Sequence, residues 1–396
     1  MFSEEMLREV PEALEKIFRN LQDDILADIV RRMLEMKAFN DSWEIGRTAD
    51  WQLYVATQMR TYDVDVRKKI QKALQLSDKE VKHLFEDIIS KGYATDKTLY
   101  DECGVEFVSL EHNEELKQLI DACQEQAKDD LTNLTKTIGF VTDRDGNRVE
   151  TLTQFYKDEL NRATVEIASG AFDYDSTLKR VVNHMANSGI RSIDYESGYH
   201  KRIDTAARTA VMTGLRQITS KISDDNAEKL NTEYFEVSAH PTARPSHALW
   251  QGKIYTKAQL ISICGYGQVD GLCGANCYHV FYPFIQGISK RKYSDEELSK
   301  IYQKTLKTKE WKGKTYTPYQ ATQRQRALER RMRVQDEKIK LLKIGESSKN
   351  DIYEAKQRRA ATYQEYKKFS NAMELPEQMN RVFNSEIKKR KIVLLF

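Results

Sequence analysis

Residues His240–Tyr255 read HPTARPSHALWQGKIY, and after a short interval Cys264–Phe284 read CGYGQVDGLCGANCYHVFYPF. Between His240 and Phe284 lie three of the seven histidines, three of the five cysteines and three of the six prolines of the chain. Glycine and proline at this density fix loop geometry, while Cys, His and Asp supply ligand atoms, so a site is expected here. The flanks are β-prone. Tyr234–Ala239 is a short run bounded by a proline-containing loop, and Lys253–Tyr255 and Tyr278–Phe284 are rich in β-branched and aromatic residues. Such strands are too few and too short to stand alone, so they should pack on the helix predicted over Arg202–Ser223. The chain reads as mainly α: a long helical N-terminal region (1–200), a small central α+β module (201–290) and a charged helical C-terminal extension (291–396).

Working outward, most of the first 225 residues read as helix. Leu178, Val181, Val182 and Met185 fall at i, i+3, i+4 and i+7, and Ile203, Ala206, Ala207, Ala210, Val211 and Leu215 repeat the pattern, each stripe facing a core. Turns are predicted at Gly92, Gly104, Gly139–Gly146 and Gly170–Asp175. Asp143-Arg144-Asp145-Gly146 lacks the acidic spacing and closing Glu of a calcium loop and reads as a plain Asp-Gly turn. Beyond Ser294, Leu328, Met332, Gln335, Ile339 and Leu342 are spaced 4, 3, 4 and 3, a coiled-coil seam suited to a helical hairpin or to self-association of the C-terminal helices. Gly345–Asn350 is the predicted hinge, and a second helix runs to Met373, with Pro376 ending it. The last nine residues, KKRKIVLLF, join four basic to five apolar residues.

At 396 residues there is material for two or three domains and a buried core. No run of about 18 apolar residues exists, so no membrane span is expected. Met1–Phe18 has neither a basic nor an apolar segment of the secretory kind, and five unevenly spaced cysteines fit reduced thiols or a metal site better than a disulfide framework. The net charge of +3 hides an asymmetry: Gln286–Phe396 carries 28 Lys+Arg against 14 Asp+Glu, a net of +14, which leaves −11 for residues 1–285. A basic tail on an acidic body points to a polyanion partner, double-stranded DNA first, since each neutralised phosphate releases a counterion. The residues expected to make that contact are Arg324, Arg326, Arg330, Arg331, Arg333, Lys388, Lys389, Arg390 and Lys391.

The order HPxARPSHxxWQGKxY then GYGxxDGLCGxNCYHxFYPF, with Trp250, Gly252, Gly265, Gly267, Asp270 and Gly271 at its fixed points, resembles the minor capsid protein 2 family of tailed bacteriophages. That family is more distantly related to the phage Mu F-type head morphogenesis proteins. The resemblance extends to RIDTAARTAVMTG (Arg202–Gly214) and YTPYQATQRQRALERRMR (Tyr316–Arg333), about half the chain. It implies a structural minor head protein in few copies near the portal vertex, with the portal protein and other head components as partners. It also implies a place in the virion, inside the capsid or at the portal vertex, and in the host cytoplasm during assembly, with no catalytic step and no required cofactor.

Two chemical readings stand beside it. Cys264, Cys273, Cys277 and His279 offer thiolate and imidazole for a structural zinc ion in a glycine-rich loop, the reading of a zinc-stabilised nucleic-acid-binding module, although their spacings of 8, 3 and 1 intervening residues match no CxxC knuckle. Cys277 and His279 would face one side only on extended backbone. His240, Arg244 and His247, with Asp270 orienting an imidazole, are the residue types of a metal-independent nuclease; the alternative is that they cap and tie down the loop, with Ser246 as N-cap of Ala248–Trp250. Gly265-Tyr266-Gly267 is no dinucleotide fingerprint, because Asp270 stands where the third glycine belongs.

Overall fold

The computed structural model describes residues 11–41, 48–142, 148–168, 173–193, 199–274 and 277–382. The fold is mainly α with a small central α+β region. The body begins with α1 (Pro11–Asp41), α2 (Thr48–Ala94), α3 (Lys97–Cys103) and α4 (Glu114–Lys136). Asn113 caps α4, its side chain accepting from the Leu116 amide at 3.1 Å. A four-stranded antiparallel sheet follows in the order β2-β1-β3-β4, from β1 (Ile138–Val141), β2 (Val149–Thr151), β3 (Arg191–Ile193) and β4 (His200–Arg202). Between β2 and β3 lie α5 (Leu152–Ala168) and α6 (Tyr174–Ser188).

This sheet is a departure from the helical reading of the first 225 residues. Its strands are three or four residues long, too short for alternation to show in the sequence. Gly139, expected in a turn, lies inside β1 opposite Thr151, and Gly92 lies inside α2. Gly104 does end α3 in the left-handed conformation. The Asp-Gly turn at 143–146 lies outside the described residues.

Helix α7 (Ile203–Lys229) runs through the centre. Its predicted stripe is buried, apart from the partly buried Ala210, and Ile218 and Ile222 continue it; Met212 is buried off the stripe, with α1 and α4 both packed on the helix. The main apolar cluster gathers α1, α2, α4, α6 and α7, and takes in Val280 and Tyr282 of the central module and Leu341 and Leu342 of the tail.

The central strands β5 (Tyr234–Val237), β6 (Ile254–Thr256) and β7 (Phe281–Pro283) form an antiparallel sheet in the order β6-β5-β7. As expected it lies on α7: Ser223 donates from Oγ to the Phe281 carbonyl at 2.7 Å. Between strands sit the one-turn α8 (Pro245–Ala248) and α9 (Lys257–Ser262), the latter opened by a Thr256/Gln259 capping box. Pro245 stands in the first turn of α8 and Arg244 at its N-cap, so Ser246 is not the cap.

The tail comprises α10 (Asp295–Leu306), the hairpin β8 (Lys309–Trp311) and β9 (Lys314–Tyr316), and two long helices, α11 (Pro318–Ile344) and α12 (Lys349–Ala372). The two helices are the expected hairpin. Leu328 and Met332 pack with Tyr366, Phe369 and Met373 of the same chain, and Gln335 donates to Thr362 Oγ1 at 3.0 Å. Leu342 enters the main core, Tyr174 donates to the Gly345 carbonyl at 3.2 Å, and Lys179 pairs with Asp351. The seam packs within one chain, as the hairpin reading expects, and the tail is docked on α1 and α6 rather than appended. No helix among the described residues is long and apolar enough to cross a membrane.

Candidate metal centre and basic groove

His247 lies on α8, where the Pro245 turn directs its ring into the module. Its Nε2 donates to the carbonyl of Asp270 at 2.8 Å. The neutral ring therefore keeps its lone pair on Nδ1, which faces Cys277 Sγ at 3.7 Å. Asp270 does orient an imidazole, as the sequence suggested, but through its backbone oxygen. Tight bonds hold that carbonyl in place: Tyr266 N to Leu260 O at 2.9 Å and Leu272 N to Cys264 O at 2.8 Å pin the ends of the glycine-rich loop.

His279 repeats the arrangement from the other side. Its Nε2 donates to Gln251 Oε1 at 3.0 Å, leaving Nδ1 to meet Cys277 Sγ at 3.4 Å. Cys277 and His279 precede β7, in a stretch with no regular helix or strand, and their Sγ and Nδ1 atoms meet across the one residue between them. Gln251 Oε1 also accepts from the His240 amide at 2.9 Å, tying the first loop to the last. The His240 ring stacks on His279 with centroids 4.4 Å apart, and Trp250 closes the cluster at 4.6 Å from His247 and 4.9 Å from His279. His247, Cys277 and His279 are each only 2% exposed, so burial holds the His247 imidazole below its ordinary range and raises the Cys277 thiol, though hydrogen bonds to Cys277 oppose the rise.

The other two cysteines stand apart. Cys264 lies in the apolar cluster of Phe235, Trp250, Tyr255, Leu260, Leu272 and Phe281, where burial pushes its thiol up to about 12. Cys273 faces the His279 carbonyl with Sγ at 3.6 Å, and burial pushes it up to about 12 as well. The four-ligand set read from the sequence is therefore not assembled. Among the described residues the group that can hold a metal is His247, Cys277 and His279, with all three ligand atoms within 4.8 Å of one another. Gln251 had no assigned role in the sequence reading, and only its place beside Trp250 and Gly252 hinted at one.

His240, Arg244 and His247 do line one cavity, of about 400 Å³, together with Cys277, His279, Arg326 and Arg381. His240 stacks on His279, however, while the Nε2 edge of His247 points at a backbone carbonyl and not toward a position where a general base would meet a substrate hydroxyl. Gly252, at φ +72, lets the chain turn here, and a Cβ there would come within 2.1 Å of Leu298 Cδ2.

The residues expected to contact DNA divide. Arg324 pairs with Glu365 at 2.7 Å. Arg333 donates Nη1 to the Arg381 carbonyl at 2.9 Å, and burial pushes its guanidinium down to about 10. Arg326 faces the histidine cavity, Arg330 and Arg331 are exposed, and Lys388, Lys389, Arg390 and Lys391 lie outside the described residues. A second cavity of about 830 Å³ opens between body and tail, and there Arg330, Arg331, Lys338 and Arg358 meet Lys179, Arg191, Lys201 and Arg202 from α6, β3 and β4. The acidic residues in its lining are Asp351 and Glu354. The body residues of this groove are scattered among acidic neighbours in the sequence, which is why a segment-by-segment charge count misses them.

Fold and site together define a mainly helical protein carrying one small α+β module whose His247, Cys277 and His279 turn inward. The chain belongs to the phage minor capsid protein 2 family, which its residues 2–371 match. It is also 24% identical over 156 residues to a protein named "Structural protein" of Lactococcus phage LL-H, a match covering 36% of this chain and 42% of that relative. The chain thus spans less than half the length of that relative. No solved structure matches it. That family is one of phage minor capsid proteins, structural components of the virion.

Proposed function

We propose that the protein acts at the portal vertex, where it joins the portal to the head and contacts packaged double-stranded DNA through the groove between body and tail. The observation that carries the DNA contact is the groove itself, eight Lys and Arg side chains facing two carboxylates. Lys179 is engaged by Asp351 and Arg358 by Glu354, and Arg202 also acts on Asp204, which leaves Arg191, Lys201, Arg330, Arg331 and Lys338 in excess. An elongated excess of positive charge suits a phosphate backbone and carries no base readout. The portal vertex is supported by symmetry: a minor component cannot occupy every equivalent position of a shell, and the portal marks the vertex that differs from the rest.

The full-length protein should therefore bind duplex DNA without sequence preference and with a steep salt dependence. Replacing Arg330 and Arg331 together by Glu should weaken binding about tenfold or more at moderate salt and flatten the salt slope by about 0.9 for each phosphate no longer neutralised. Both side chains are exposed, so folding should survive, and unchanged binding would remove the groove from the DNA-binding surface. Deleting the tail is the poorer test, since Leu341 and Leu342 belong to the main core.

Co-expression with the cognate portal protein should yield a complex, and purified heads should hold the chain in small numbers. The work is done by contacts and has no catalytic step. Absence from heads combined with DNA or RNA hydrolysis that disappears in His247→Ala would replace this reading with an enzymatic one.

A further inference from the structure

Three donor atoms from two segments, α8 and the stretch Cys277–His279, converge inside the central module, and each imidazole among them is held by its far nitrogen. We propose that His247 Nδ1, Cys277 Sγ and His279 Nδ1 form a binding site for a divalent transition-metal ion of the zinc class, with a fourth position open to solvent in the adjoining cavity.

The donor set is the first reason, because imidazole and thiolate select zinc and its neighbours over calcium or magnesium. Spacing is the second. With zinc–sulfur near 2.3 Å and zinc–nitrogen near 2.0–2.1 Å, a tetrahedral ion places its sulfur and nitrogen ligands about 3.6 Å apart. The two sulfur–nitrogen separations here are 3.7 and 3.4 Å. Orientation is the third. Metal-ligating histidines donate their other N–H to a carboxylate or carbonyl oxygen, which fixes tautomer and ring plane. His247 does so to Asp270 O and His279 to Gln251 Oε1, at 2.8 and 3.0 Å.

As the metal–sulfur bond forms, the Cys277 thiol gives its proton to solvent, so each ion bound releases one proton. Three protein ligands leave one tetrahedral position, and water from the cavity lined by Arg244 and Arg326 fills it. The inference does not depend on the portal or DNA reading, since a head protein with or without metal can make those contacts.

The test uses the full chain. Protein produced with zinc should contain about one ion per chain by elemental analysis, and the chelated, refilled protein should bind cobalt(II) with a thiolate-to-metal charge-transfer band and intense visible d–d bands of four-coordinate cobalt. Cys264→Ser combined with Cys273→Ser should keep the charge-transfer band, while Cys277→Ser should lose it. Gln251→Leu, which removes the oxygen holding His279, should weaken cobalt binding at least tenfold. Folded wild-type protein that binds neither ion overturns the site, as does a band that survives in Cys277→Ser or vanishes in the double variant of Cys264 and Cys273. Should Cys277→Ser fail to fold, the wild-type band and its persistence in that double variant still decide the matter.

Discussion

Alanine at position 271 is expected to cost the protein about 3–4 kcal/mol and to loosen the central module. A Cβ on Gly271 would stand 1.9 Å from the Gly265 carbonyl oxygen and 2.5 Å from its carbon, both backbone atoms. Neither segment can yield cheaply. Gly265 O accepts from Gln268 N at 2.9 Å, Gly271 N donates to Gln268 O at 3.3 Å, and Leu272 N donates to Cys264 O at 2.8 Å. Relieving the clash breaks two or three of these bonds, each worth about 1 kcal/mol, on top of the strain. Movement of residue 271 also carries away the Asp270 carbonyl that orients His247. Gly267→Ala is the control: its φ is +91 and nothing lies within 4 Å of the added Cβ, so only backbone strain of about 1 kcal/mol applies. Urea denaturation of the two variants should separate them clearly. Equal losses would mean that the loop is not closed in this way.

The same loop shows how far the sequence could be read. Glycines at 265, 267 and 271 announced a tight turn, but which of them is required by contact depends on where the chain crosses itself. The three central strands were legible because Tyr234, Phe235, Tyr255, Phe281 and Tyr282 concentrate β-prone side chains between loop signals. The strands of the first sheet were not, since three-residue strands such as Arg191–Ile193 carry no period of their own.

For the site, Cys277 and His279 were legible as a pair at i and i+2. His247 was visible as a site residue but attached to a different chemistry. Cys264 was misplaced although a signal existed, because it follows Leu260 by four residues and so continues an apolar helical face into the core. Arg333 differs from the exposed Arg331 for a tertiary reason: docking of α11 half-buries it, and nothing local distinguishes the two.

Docking of the tail has a second measurable consequence, centred on Glu337. Its side chain is 8% exposed on α11, with Oε1 accepting from Gln22 Nε2 of α1 at 2.6 Å. Burial raises its carboxyl from the ordinary 4.5 to about 7, outweighing the Gln22 hydrogen bond and the attraction of Arg202 and Lys340, while Asp23 adds to the rise. The folded state therefore keeps a proton that the unfolded chain releases near pH 4.5. Stability falls as pH rises from about 4.5 to about 7 and the cost is fully present above 7, amounting to about 3 kcal/mol at most. Glu337→Gln keeps the shape and the acceptor for Gln22 and cannot ionise. It should be more stable than the wild type by about 2–3 kcal/mol above pH 8, with the difference shrinking to nothing near pH 4.5. Asp204, which lines one cavity together with Glu337, behaves in the opposite sense. Burial alone would raise it, but Arg19, Arg202 and Arg333 hold its carboxyl below the usual range, so its contribution is lost only at lower pH, as that carboxyl takes up a proton. Denaturation midpoints of the two proteins measured from pH 5 to 9 should diverge through neutrality. Parallel curves would show that Glu337 is solvated and that α11 does not seal against α1 as described.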